Sequence, residues 1–168
     1  QEWGSLYNSA VEKFQSQEFN KSMEILNLAI MMNPARGETY GTLAALHLQQ
    51  QNSNAAKETA NNGIKFAPNF SLNYQVLADI ATEEGEFDVA EEYYQTAISK
   101  SEDPGPIMRQ LILLFIDKGE NQKAIDYSEE LLNKYPDDPD LYFNIGVLFQ
   151  RLAIEMFDPA RELYLALS

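Results

Sequence analysis

Apolar residues recur along this chain at intervals of three and four, the period of a helix laid against a core. Tyr40, Leu43, Ala44, His47 and Leu48 form one stripe, Tyr74, Leu77, Ala78 and Ala81 the next, and Met108, Leu111, Ile112 and Phe115 a third. No run alternates apolar and polar residues as a half-buried strand does. Each stripe ends at a short break, Gln51-Asn52-Ser53-Asn54, Gly85-Glu86 or Gly119-Glu120, and a second helical stretch follows. Glycine supplies the positive φ with which a helix ends and turns back. Asp103-Pro104, Asp138-Pro139 and Asp158-Pro159 each place a capping carboxylate before a proline at a first helical position. The pattern predicts ten helices, at 3–16, 19–32, 37–50, 54–66, 71–84, 87–100, 105–118, 121–134, 139–154 and 159 to the end.

The stripes also repeat as blocks. Pro34, Pro68 and Pro136 fall on a 34-residue ruler with one mark missing, at Glu102. Tyr40, Tyr74, Met108 and Tyr142 are in phase, as are Leu43, Leu77, Leu111 and Ile145, and Ala56, Ala90 and Ala124. A fixed period of this length marks a stack of small units. The units are about 3–36, 37–70, 71–104, 105–138 and 139–168, forming one repeat domain over 1–168. Ala44 and Ala78 on first helices, with Ala56 and Ala90 on second helices, let backbones approach closely. Tyr94 is expected to fill space where helices diverge. The phase survives the missing proline, because Leu111, Gly119 and Ala124 return on schedule, and slips only after Gly146.

An aromatic, a leucine and a small residue, then a glycine turn, an alanine, an aromatic and a closing proline make up a pattern that resembles the tetratricopeptide repeat. The third unit carries it most fully, with Tyr74, Leu77, Ala78, Gly85, Phe87, Ala90, Tyr94 and Ala97. The second has Tyr40, Leu43, Ala44, Ala56, Gly63 and Pro68, and the fourth Leu111, Gly119, Ala124, Leu131 and Pro136. The first departs at Leu6 and Ser22, where the aromatic and the alanine would stand. In the fifth, Ala153 replaces the glycine and the alanine arrives late at Ala160. Either a longer helix or a wider corner near 154–157 explains the shift. The resemblance implies an all-α, right-handed superhelix of about five helix pairs, an α-solenoid. It implies a concave groove lined by first helices that holds peptides or protein surfaces without chemistry of its own.

Counting along each first helix gives the residues that face such a groove. Tyr7, Val11 and Phe14 come from the first unit and Leu48 from the second. Gln75, Asp79, Thr82 and Glu83 come from the third, and Arg109, Leu113 and Ile116 from the fourth. The fifth offers Phe143, Val147 and Arg151. The groove then has apolar ends and an acidic centre, which suits a segment with hydrophobic anchors around a basic or amide-rich middle. Val11, Leu113 and Val147 are equally consistent with partial burial in the core. Family members that grip terminal carboxylates use lysine, asparagine and arginine on successive first helices; here the matching places hold Tyr7, Val11, Thr42 and Val76. Acidic chaperone tails are therefore not expected as ligands. Leu163, Tyr164 and Leu167 near the end would need covering, by further chain, by a partner or by self-association through that end face.

Composition narrows the partners further. The 168 residues hold 26 acidic and 12 basic side chains, a net charge of −14. Such a surface repels phosphate backbones, so nucleic acid is not an expected partner, whereas basic segments are suited to it. Much of the charge is accounted for equally well as solvated helix surface, including the run from Glu83 to Asp103. There is no cysteine and one histidine, His47, in an apolar stripe, where a packed imidazole is expected. Adjacent carboxylates such as Glu83 and Glu84 point about 100° apart on a helix, so they do not converge as an acid–base pair. No phosphate loop, triad or metal-ligand spacing is present, so no enzyme activity, cofactor or metal is expected. No apolar run approaches the roughly 20 residues of a transmembrane segment. The cysteine-free, Asn- and Gln-rich composition and the Gln1-Glu2 start point to an exported, periplasmic bacterial protein, with the cytoplasm nearly as consistent.

Overall fold

A computed structural model of the chain describes residues 2–137 and, beyond them, 142, 145–147, 149, 150, 153 and 154. The continuous elements are α1 (Glu2–Gln15), α2 (Phe19–Met32), α3 (Gly37–Gln49), α4 (Ser53–Phe66), α5 (Ser71–Glu83), α6 (Phe87–Lys100), α7 (Gly105–Asp117) and α8 (Asn121–Lys134). Among the described residues there is no strand. Three expected helices are met at both ends, and the other five differ by no more than one residue at either end. The expected helix at 159 and the caps at Asp138 and Asp158 lie outside the described residues, as do Leu163, Tyr164 and Leu167.

The chain divides into two compact units, 1–114 and 115–168, with the division inside α7. In the first, α1 packs on α2, α3 on α4 and α5 on α6, which makes three helical hairpins. They are joined where α2 meets α3, α4 meets α5 and α3 meets α5. Ala10, Ala44 and Ala78 on first helices and Ala56 and Ala90 on second helices are fully buried, as close backbone approach requires. Ser22 occupies the matching alanine place in the first hairpin. Its buried hydroxyl donates to the Ala10 carbonyl oxygen at 2.8 Å, so the polar atom is satisfied across the pair.

The four hairpins among the described residues turn in the same way. Gln17, Gln51, Gly85 and Gly119 stand 34 residues apart with φ of 61°, 60°, 76° and 74°. Each N–H bonds the carbonyl three residues back, and the next N–H reaches five residues back, at 2.8–3.1 Å. These paired bonds satisfy carbonyls that the helix end would otherwise leave open. The sequence marks only the two glycines, yet two glutamines hold the same left-handed conformation, because the 34-residue path demands it. At the start of α7 the Asp103 carboxylate accepts from the Gly105 N–H at 3.4 Å, as the expected capping carboxylate should. The helix begins at Gly105 rather than Pro104, and the Pro104 carbonyl accepts from the Met108 N–H at 2.9 Å.

In the second unit Phe115 is fully buried and its ring lies 5.3 Å from that of Tyr127, tilted by 47°. Ala124, Ser128 and Leu131 form the buried stripe of α8, and Ser128 satisfies its hydroxyl on the Ala124 carbonyl oxygen at 2.6 Å. No helix among the described residues is long and apolar enough to cross a membrane.

Candidate functional site

The first helices of unit 1 form a row, and its N-terminal end is aromatic. The Trp3 and Tyr7 rings stack at 5.3 Å with 17° between their planes. Trp3 donates its indole N–H to Thr39 Oγ1 at 3.0 Å, which ties α1 to α3. Thr42 spends its only proton on the Glu38 carbonyl oxygen at 2.7 Å, so in the 3.0 Å contact between Tyr7 and Thr42 the phenol donates. The Arg36 guanidinium lies 4.4 Å from the centre of the Trp3 ring and 3.8 Å from the Glu38 carboxylate. Trp3, Arg36 and Thr39 precede or fall between the stripes, and sequence counting missed them.

From α3 to α5 the row is drawn tight. A Cβ on Gly41 would stand 2.8 Å from Phe70 Cε1 and 3.0 Å from Leu72 Cβ, so only glycine fits between the two helices. Leu48 is partly buried against the cluster of Ala44, Ala56, Ala60, Val76, Leu77 and Ile80. Tyr7 and Val11 are partly buried, and Phe14 is 38% exposed with its ring 5.7 Å from Phe19.

On α5 the structure brings Asp79, Thr82 and Glu83 together around a residue from the second helix. The Tyr94 hydroxyl donates to Asp79 Oδ1 at 2.6 Å. Thr82 donates to the Ala78 carbonyl oxygen at 2.9 Å and stands beside the Tyr94 phenol. Burial pushes the Asp79 pKa above the usual carboxylate value; the Tyr94 hydrogen bond opposes this and the Glu83 charge adds to it. Burial also raises the Tyr94 phenol, with the Asp79 charge as the next cause. No described lysine or arginine forms an ion pair with Asp79. Gln75 is partly buried and Glu83 is exposed.

Arg109 and Leu113 follow on α7, the first partly buried and the second 47% exposed. In the second unit Ile116 is buried, which leaves it no free side, while Val147 is 51% exposed. Phe143 and Arg151 lie outside the described residues. His47 is half-buried, and burial lowers its pKa and favours the neutral ring.

Other surfaces are available. Leu28, Met31 and Met32 are exposed on consecutive turns of α2. One shallow hollow of about 370 Å³ lies at the hairpin turns, lined by Gln17, Phe19, Lys21 and Gln50 among others. Another of about 340 Å³ lies at the opposite corners, between Arg36, Glu38, Pro68 and Phe70. Among the described residues no three His, Cys, Asp or Glu side chains are grouped to hold a metal ion.

Comparison with known proteins gives one family match, the tetratricopeptide repeat, over residues 73–103. That segment holds α6, most of α5 and the Asp79–Tyr94 pair. Comparison with curated protein sequences returns no match. Among solved structures, the crystal structure of MamA superposes with a TM-score of 0.68 at 19% identity, covering 86% of this chain and 84% of that one. Pseudomonas aeruginosa pilF superposes at 0.67 and 19% identity, covering 86% and 66%. The structure of Naa15/Naa10 bound to HypK-THB gives 0.71 at 15% identity, covering 89% of this chain and 23% of that one. At these identities the likeness establishes the fold.

Proposed function

We propose that this all-α chain of paired helices, which matches the tetratricopeptide repeat over residues 73–103 and shares the fold of MamA and pilF, is a non-catalytic scaffold whose row of first helices holds a cation-bearing segment of a partner protein. Asp79 carries this reading. Its carboxylate is partly desolvated, fixed by Tyr94, crowded by the like charge of Glu83 and, among the described residues, not ion-paired with a lysine or arginine. A lysine or arginine of a bound segment would relieve that crowding, and contacts of this kind supply orientation and association rate as well as affinity. Phe14 and Leu113 are exposed apolar positions of the same counted register, and the Trp3–Tyr7 stack adds a rigid aromatic surface. Aromatic anchors of this kind dominate the energy of many interfaces. The protein's overall acidity favours the same class of partner.

A fluorescein-labelled synthetic peptide with lysines set between leucine and phenylalanine is the test, read by anisotropy. The double variant Asp79→Asn/Glu83→Gln is expected to weaken binding about tenfold or more. The equal charge change Glu58→Gln/Glu92→Gln, on second helices, is expected to change it little. Equal losses in both would reduce the interaction to general acidity and overturn the assignment of the face. The proposal also takes in the exported bacterial setting read from the composition, which fractionation of cells producing the native protein decides.

A further inference from the structure

The three hairpins of unit 1 do not meet through equivalent seams. Asn73, in the first turn of α5, is fully buried, and neither its Oδ1 nor its Nδ2 has a hydrogen-bond partner. It lies in a notch created by Gly63 on α4, where an added Cβ would overlap all three terminal atoms of the carboxamide. The same place one repeat earlier pairs Ala29 with Thr39, whose hydroxyl is satisfied by the Trp3 indole N–H. One repeat later the residues are Ala97 and Ile107, both apolar and buried. The fully buried positions of α4 are Ala56, Ala60 and Gly63, where α2 has Ser22, Leu26 and Ala29 and α6 has Ala90, Tyr94 and Ala97. On its α4 side the seam with α5 thus has the smallest buried side chains of the three second helices, packed on Val76, Leu77 and Ile80, and it encloses an unbonded buried amide.

We propose that unit 1 opens at this seam, so that α1–α4 and α5–α6 are separate cooperative segments hinged between Gly63 and Asn73. In stacked repeats the strength of each interface sets where cooperativity breaks, and a weak one divides the array. An amide that finds no partner when buried regains its bonds to water on opening, which favours the open form. Movement there changes the spacing of α3 and α5, and with it the span between the aromatic and acidic parts of the row.

Native-state hydrogen exchange of the full chain, followed at rising denaturant, tests this. The amides of α1–α4 are expected to share one opening curve and those of α5–α6 another. In Asn73→Leu the opening constant is expected to fall about tenfold, the scale set by an unbonded buried amide, and the two curves to converge. Gly63→Ala, which drives a methyl into the carboxamide, is expected to separate them further. A single curve across α1–α6 in the wild type, a division at the α2–α3 corner, or an Asn73→Leu protein whose opening constant is unchanged or raised would each overturn the proposal. The wild-type measurement decides between these outcomes even if the leucine variant does not fold.

Discussion

The second and third hairpins have the same frame, a first helix of 13 residues and a second of 14, and almost opposite interiors. At one position of the period the second hairpin has Ala60 and the third has Tyr94, both buried. At another it has Ala45 where the third has Asp79. The second hairpin is therefore closed by small residues, while the third encloses a phenol bonded to a carboxylate on the row. The repeat sets where the chain turns, and the residues at a few periodic positions decide what each turn can bind.

The comparison breaks most sharply at Tyr94. Truncation by Tyr94→Ala should cost about 3–5 kcal/mol in denaturant unfolding, through the cavity left and the hydrogen bond lost to Asp79. Tyr94→Phe keeps the ring and should cost about 1–3 kcal/mol, because a half-buried carboxylate loses its donor. A smaller effect is expected from filling the alanine positions that the two hairpins share. Ala56→Leu and Ala90→Leu should each cost about 1–3 kcal/mol by overpacking, since both alanines are fully buried. Equal costs would show that the frame is common to both hairpins. The turns come next. Gly85→Ala has open space around it but a φ of +76°, so it should lose about 1 kcal/mol, whereas Gln51→Gly, at a φ of +60°, should gain a few tenths up to about 1 kcal/mol.

A pH series gives the smallest effect and separates the third hairpin from the first by sign. The folded pKa of Asp79 is raised, so the protonated form suits the native state, and this advantage is present below the ordinary value of 3.8 and lost as pH rises through the folded value. Wild-type stability relative to Asp79→Asn should therefore fall as pH rises from about 4. Glu18, at the first turn, behaves oppositely. Its hydrogen bonds to Lys13 and Lys21 hold it at about 2, so its contribution is present above 4.5 and fades as pH falls towards 2. Urea midpoints of Asp79→Asn and Glu18→Gln across this range should diverge from wild type in opposite directions.

Local features of the fold were legible because they follow from period and punctuation. Helix ends at 19–32, 87–100 and 121–134 could be read to the residue, and the buried alanines could be named from spacing alone. Features set by contacts across the stack could not. Gln17 and Gln51 take a left-handed turn that glutamine does not favour in isolation, and only the shared hairpin path imposes it. Tyr94 looks in the sequence like a space filler, and its bond to Asp79 emerges only when two helices are packed. Ile116 has the spacing of a groove residue yet is buried. Trp3 lies ahead of the first stripe, and nothing local indicates that it binds Thr39 or carries Arg36. Of the candidate site, the row is therefore the part that counting can find, while its hydrogen bonds and charge balance belong to tertiary structure.

The central claim is that partners meet the first-helix row of unit 1 rather than the exposed apolar residues of its second helices. Amide chemical-shift mapping with the lysine-, leucine- and phenylalanine-containing peptide tests it most directly. The largest shifts are expected at α1, α3 and α5, around Tyr7, Gly41, Asp79 and Glu83, together with the Trp3 indole N–H. Shifts concentrated instead at Leu28, Met31 and Met32 of α2 and the exposed Phe66 of α4, with the Trp3 indole unmoved, would contradict it.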